Sequence, residues 1–137
     1  MNSLNRFADP IYCIFRLVIG LLFACHGGQK ILSFPPGGHG MPTDTLSWIG
    51  ATIELVGGFL IAFGFLTRLA AFIAAGEMAV AYFGFHFATA PNAVTKFFPI
   101  LNQGELALIY CWLFLFIFCY GAGRWSLDAV FRSTVRT

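Results

Sequence analysis

The chain has 137 residues, of which 58% are hydrophobic and only 10% charged, and its formal net charge is +2. A soluble domain is about a quarter charged and about half apolar, so a soluble enzyme and a disordered tail are both poor readings. A nucleic-acid binder would need a basic face. The length allows one domain, and the class that remains is an integral membrane protein.

The first apolar run covers residues 11–32, about the 20 residues a helix needs to cross the hydrocarbon core. It is too long for a cleaved signal peptide, it carries Arg16, His26 and Lys30, and no small-residue cleavage pattern follows. It therefore reads as a retained helix. The Ser33-Phe34-Pro35-Pro36-Gly37-Gly38 stretch ends it. The second and third runs, 46–66 and 69–88, are joined by a tight turn at Thr67-Arg68. Pro91-Asn92 and Pro99 break the chain before the fourth run, 104–123. There Asn102-Gln103-Gly104-Glu105 has the pattern of a capping box with Glu105 at its third helical position. Ser126-Leu127-Asp128 opens a short amphipathic helix in an interfacial tail, 126–137. In it Leu127, Val130 and Phe131 would face lipid, and Arg132 and Arg136 headgroups. Trp48 and Trp125 fall near the expected interfaces.

The expected fold is thus all-α, an integral membrane four-helix bundle forming a single domain over 1–137. An even number of crossings puts both termini on one side. That side holds Arg6, Arg68, Arg124, Arg132 and Arg136, and the other holds Lys30 and Lys96. The excess of positive charge predicts that the termini and the turn between helices two and three are cytoplasmic.

Cys13, Cys25, Cys111 and Cys119 lie in helices one and four without a CxxC pair. They read as small apolar residues, and no ligand spacing suggests zinc or another metal. Gly20 and Gly27 on helix one, and Gly57, Gly58 and Gly64 on helix two, would let membrane helices approach closely.

The costly residues are the ionisable ones. A charge at mid-bilayer costs at least ~2.5–3.5 kcal/mol, so such groups face one another or a cavity. His26 and Lys30 share a face near the outer end of helix one. Glu54 lies roughly 12 Å in from the outer end of helix two. His86 and Glu105 flank the same end on helices three and four. With Gln29 and Gln103, these residues are expected to converge on a polar pocket in the outer half. Arg16 and Glu77 are placed lower, as a separate structural ion pair. Within the outer cluster two readings compete. In one, Lys30 with Glu54 or Glu105 is an ion-paired staple that fixes helix order. In the other, His26 and Glu54 relay protons or hold a polar ligand group, with Lys30, Glu105, Gln29 and His86 binding the ligand.

Helix one reads Arg16-Leu-Val-Ile-Gly20 and then His26-Gly27-Gly28-Gln29-Lys30. Helix two reads Glu54-Leu-Val-Gly57-Gly58 and then Gly64-Phe-Leu-Thr67-Arg68. Helix four begins Asn102-Gln103-Gly104-Glu105, followed by Ala107, Leu108 and Tyr110, and Gly121-Ala122-Gly123-Arg124-Trp125-Ser126-Leu127-Asp128 comes after it. In this order the motifs resemble the DoxX family of small four-helix membrane proteins over nearly the full length. That family takes its name from the membrane subunit of a thiosulfate:quinone oxidoreductase, and other members are linked to oxidative-stress complexes and sulfur or thiol metabolism. The resemblance implies a multi-pass protein of a bacterial-type inner membrane. Glu77 matches no position of the family pattern. The leading expectation is the membrane subunit of a redox complex that binds a quinone, non-covalently, in the outer polar pocket. Its rivals are a non-catalytic anchor or assembly subunit and a small-solute or metal transporter. Other protein subunits or a second copy of the chain are the expected partners besides the bilayer; nucleic acid is not.

Overall fold

The computed structural model describes residues 4–37 and 40–134. Gly38 of the proline-rich loop and Arg136 of the tail lie outside the described residues. Among the described residues the regular structure is all helical.

Helix α1, Ala8–Leu32, is entered through the short 3-10 turn Asn5–Phe7. It ends at Ser33, which takes a left-handed φ of 54°. Helix α2 spans Thr45–Phe63. The carboxylate of Asp44 caps its first turn by accepting from the Ser47 amide at 3.0 Å. These bonds hold the Asp44 carboxyl below the usual range. Midway, residues Ile53–Gly57 form a π-helical turn. Helix α3 is Thr67–Phe87, and its last turn, Tyr82–Phe87, is also π-helical. A five-residue helix α4, Ala93–Phe97, sits in the following loop, where the sequence suggested only breakers. Helix α5 is Glu105–Tyr120 and helix α6 is Leu127–Thr134.

Three of these segments, Asn5–Leu32, Thr45–Phe63 and Thr67–Phe87, are long and apolar enough to cross a membrane. At 1.5 Å per residue the 16 residues of α5 give ~24 Å, short of the ~30 Å hydrocarbon core. The fourth run, expected over 104–123, is thus a shorter apolar helix than its neighbours.

The turn between α2 and α3 lies three residues before the expected Thr67-Arg68. Gly64, with φ 71°, ends α2 in a left-handed cap. The Phe65 amide returns to the Leu60 carbonyl at 2.9 Å and the Gly64 amide to that of Ile61 at 3.1 Å. This Schellman arrangement stops the helix where a residue without a Cβ permits it. Thr67 and Arg68 are consequently the first residues of α3.

Helix α1 packs along α2, and α3 along α5. The first contact is backbone against backbone. A Cβ on Gly20 would stand 2.5 Å from the Ala62 amide, and one on Gly58 would stand 2.5 Å from that of Ala24. Gly27 abuts Ala51 and Leu55 in the same way. Small residues thus let two helices touch where lipid gives no hydrophobic drive to association. Phe23, Ile61, Phe114 and Ile117 fill the centre and are fully buried. Ile14, Val18, Phe72, Val80, Ile109 and Phe116 are exposed around the circumference, an apolar surface suited to lipid.

The two ends of the described chain meet at one end of the bundle. Tyr12 donates its hydroxyl to the Gly121 carbonyl, and Tyr120 donates to Asp9 at 3.0 Å. Helix α6 is fastened to the α2–α3 turn. Its Asp128 accepts from the Leu66 amide at 2.8 Å, the Thr67 amide at 3.0 Å and the Thr67 hydroxyl at 2.8 Å. The Asp128 amide donates back to the Gly64 carbonyl at 2.9 Å. Burial disfavours the ionised form of Asp128, but the bonds from Thr67 and Leu66 and the charge of Arg132 outweigh it, so its carboxyl stays below the usual range.

Candidate functional site

Arg16 and Glu77 are not the ion pair expected from their sequence positions. Arg16 is 2% exposed. It donates to the Ile61 carbonyl, to that of Ala62 at 2.7 Å and to that of Trp125 at 2.8 Å. Ile61 and Ala62 belong to the last turn of α2; the Ile61 carbonyl also accepts from the Gly64 amide, whereas a last-turn carbonyl such as that of Ala62 has no partner within the helix. A guanidinium there supplies the missing donor and meets the negative end of the helix dipole. Glu77 lies ten residues into α3, on a different level.

The residues that converge are Lys30, Glu54 and Glu77. Lys30 comes from the last turn of α1 and Glu54 from the π turn of α2. The Lys30 ammonium lies 2.7 Å from Glu54 Oε1. Glu54 is 4% exposed, whereas the Lys30 side chain keeps 35% of its surface. The helix spacing explains why they meet. Gly27 is one turn before Lys30 and touches the backbone of Leu55, the residue after Glu54. The small-residue seam therefore sets the reach of the pair. Glu77 approaches α2 at Gly50, where its Oε1 lies 3.2 Å from the position a Cβ would take. Lys30 and Glu54 are the two charges that act on it. Glu54 Oε2 and Glu77 Oε2 are both buried and have no hydrogen-bond partner among the described residues. One ammonium thus pairs with Glu54, while Glu77 has no cation within 4.0 Å among the described residues, and each carboxylate keeps an open acceptor.

His26 flanks this cluster. Its ring stands edge-on to Tyr110 of α5, with centroids 6.0 Å apart and planes at 87°. Tyr110 is 5% exposed and shares an electrostatic neighbourhood with Glu54 and Cys25. Below it Phe23 and Phe114 complete a small aromatic stack, with centroids 4.6–5.5 Å apart.

Other expected members stand elsewhere. His86 Nδ1 is 3.0 Å from the Asn102 carbonyl, so this ring holds the outer loop. Asn102 also accepts from the Gly104 amide at 2.9 Å through its side chain. Glu105 is exposed at the first position of α5, not the third, and takes no partner among the described residues. The capping box fails because Gln103 adopts a left-handed φ of 59° and Gly104 becomes the N-cap. Gln29 is half-buried on α1 without a partner among the described residues, and Gln103 is exposed. Neither Glu77 nor Tyr110 was expected in the outer cluster. The one available signal for Tyr110 was its place in the run that follows Glu105.

Apolar helices of membrane-crossing length, closed by a small-residue seam and holding their ionisable groups inside, define a small multi-pass membrane protein. The family model DoxX matches residues 11–87, which carry α1, α2 and α3. The chain is also similar to an uncharacterized protein of Haemophilus influenzae. The two are 42% identical over 134 residues, covering 96% of this chain and 98% of the other. The chain belongs to the DoxX family. No solved structure matches it. Arg16, His26, Lys30, Glu54 and Glu77 all fall within the matched segment, whereas Glu105 and Tyr110 lie beyond it.

Proposed function

We propose that the chain is a membrane subunit of a quinone-linked redox complex, and that the Lys30–Glu54–Glu77 cluster binds the polar head of the quinone. The observation that carries this reading is the imbalance of the cluster, two buried carboxylates against one ammonium, each with an open oxygen. A quinol hydroxyl is a donor that such an oxygen accepts. Reduction of a quinone takes up two electrons and two protons. In this reading a partner subunit supplies the electrons. Glu54 and His26 pass protons between the head group and water, and the exposed stem of Lys30 is the route to solvent. The end that carries α6 is cytoplasmic in this arrangement, with α6 lying along the membrane surface. The membrane is a bacterial inner membrane.

The test is extraction of the chain with its native lipids, followed by measurement of bound quinone per chain. Wild type retains a stoichiometric quinone, and Glu54→Gln and Glu77→Gln each lose it at least tenfold while keeping helicity and melting temperature. Unchanged retention in both variants overturns the reading.

The 2.7 Å contact of Lys30 with Glu54 favours a second reading, an anchor subunit in which the pair only fixes α1 against α2. Here Glu54→Gln weakens assembly with the partner subunit, and the purified chain carries no quinone.

A further inference from the structure

A second cavity opens at the end that carries α6. It has a volume of about 770 Å³ and is lined by Arg68, Arg124 and Arg132 together with Asp9, Tyr120 and the Gly121–Gly123 backbone. The three arginines come from separate segments, the first turn of α3, the α5–α6 link and α6 itself. Among the described residues the cavity lining holds one carboxylate, Asp9, which sits 3.7 Å from Arg124. The other acid nearby, Asp128, is already bonded to Leu66 and Thr67. Arg68 has no carboxylate within 4.0 Å among the described residues. Its guanidinium rests against Gly121, 3.3 Å from where a Cβ would stand, so a side chain there would crowd it. Arg132 spends only its Nε, on the Asp128 carbonyl at 3.3 Å. Among the described residues both keep terminal N–H donors without a partner, the kind of fork that matches a phosphate bidentately.

The surroundings fix the source of the phosphate. One turn into the bundle from Arg68 is Phe72, exposed and packed on Phe118 with ring centroids 5.3 Å apart. One turn in from Tyr120 is Phe116, also exposed. Phe116 packs against Tyr12 and Phe15 of α1, so exposed apolar surface flanks the basic cavity on both sides of α5. Positive charge placed merely to orient the chain has no need to gather three helical segments around one cavity.

We propose that this cavity binds the phosphate of an anionic phospholipid, with Arg68 and Arg132 as the principal ligands, Arg124 at the rim and the acyl chains along Phe72 and Phe116. Basic pockets between membrane helices suit such headgroups.

The test is native mass spectrometry of the full chain released from nanodiscs of phosphatidylglycerol mixed with phosphatidylcholine. The expected result is one retained phosphatidylglycerol per chain and no retained phosphatidylcholine. Retention falls at least tenfold in Arg68→Gln/Arg132→Gln and is unchanged in Lys96→Gln at the opposite end. Circular dichroism of the double variant checks that it is folded; if it is not, Arg132→Gln alone, on an exposed helix, is expected to lower retention several-fold. Inorganic phosphate at millimolar concentration separates the two phosphate sources, and phosphatidylglycerol retention is expected to survive it. Equal retention of both lipids, retention indifferent to the arginines, or arginine-dependent binding of free phosphate that phosphatidylglycerol does not displace would each overturn the proposal.

Discussion

Two buried charged sites lie in the same bundle and are finished very differently. At the α6 end Arg16 reaches three carbonyls from two segments and leaves only its Nε without a partner. Asp128 nearby collects three donors. Toward the far end of α1, Lys30 serves Glu54 alone, and two carboxylate oxygens stay open. Both sites pay the desolvation cost of a membrane interior. The first returns it as structure, because its partners are backbone acceptors that any helix end leaves over. The second keeps its acceptors available, which a purely structural site has no reason to do.

This contrast can be broken by substitution. The largest effect is expected for Arg16→Met. It strips the Ala62 and Trp125 carbonyls of their donor and leaves that of Ile61 only the Gly64 amide, at roughly 1–3 kcal/mol for each group left unsatisfied, and should lower stability in detergent unfolding by about 2 kcal/mol or more. A loss below about 1 kcal/mol would show that water or a neighbour replaces the guanidinium. Asp128→Ala comes next. It removes the acceptor for two free amides at the start of α3 and should cost about 1–2 kcal/mol, as loss of a helix cap does. The same group gives a pH effect of definite sign. Its folded carboxyl titrates below the ordinary value of about 3.9. Its stabilisation is therefore full above that value and is lost as pH falls through the lower folded one. Protease cleavage of α6 should accelerate below about pH 4 in wild type, with Asp128→Asn already cleaved fast at neutral pH. The smallest change belongs to Glu77→Gln. It relieves a carboxylate that lacks its own counter-charge, so stability should stay within about 0.5 kcal/mol of wild type or rise. A melt that drops as far as that of Arg16→Met would erase the distinction between the sites.

The four apolar runs were legible because membrane length and hydropathy are one-dimensional properties, and α1 fell within three residues of its expected start. Depth was partly legible too, since Lys30 and Glu54 were placed together by counting residues. Azimuth was not. Arg16 and Glu77 were both counted into the inner half, but Glu77 stands against Gly50 near the start of α2 while Arg16 is at its end, and even a correct depth fixes no direction around a helix that rotates about 100° per residue. The π turns at Ile53–Gly57 and Tyr82–Phe87 worsen this. Each inserts extra residues into the hydrogen-bond ladder and changes which side chains face inward beyond it, and no residue type announces them. Glu105 was misplaced by a turn that Gln103 takes against its own preference. The partners of Arg16 were hidden for a further reason. They are main-chain carbonyls, and every residue has one.

The third of those carbonyls has a consequence for biogenesis. Trp125 lies 109 residues after Arg16, so α1 enters the bilayer long before its last acceptor has been synthesised. Chains grow at roughly 5–20 residues per second. Ile61 and Ala62 arrive with α2, but for several seconds more the nascent protein carries guanidinium donors that only lipid headgroups, water or the insertion machinery can accommodate. The C-terminal segment, when it arrives, is what releases the first helix from that dependence.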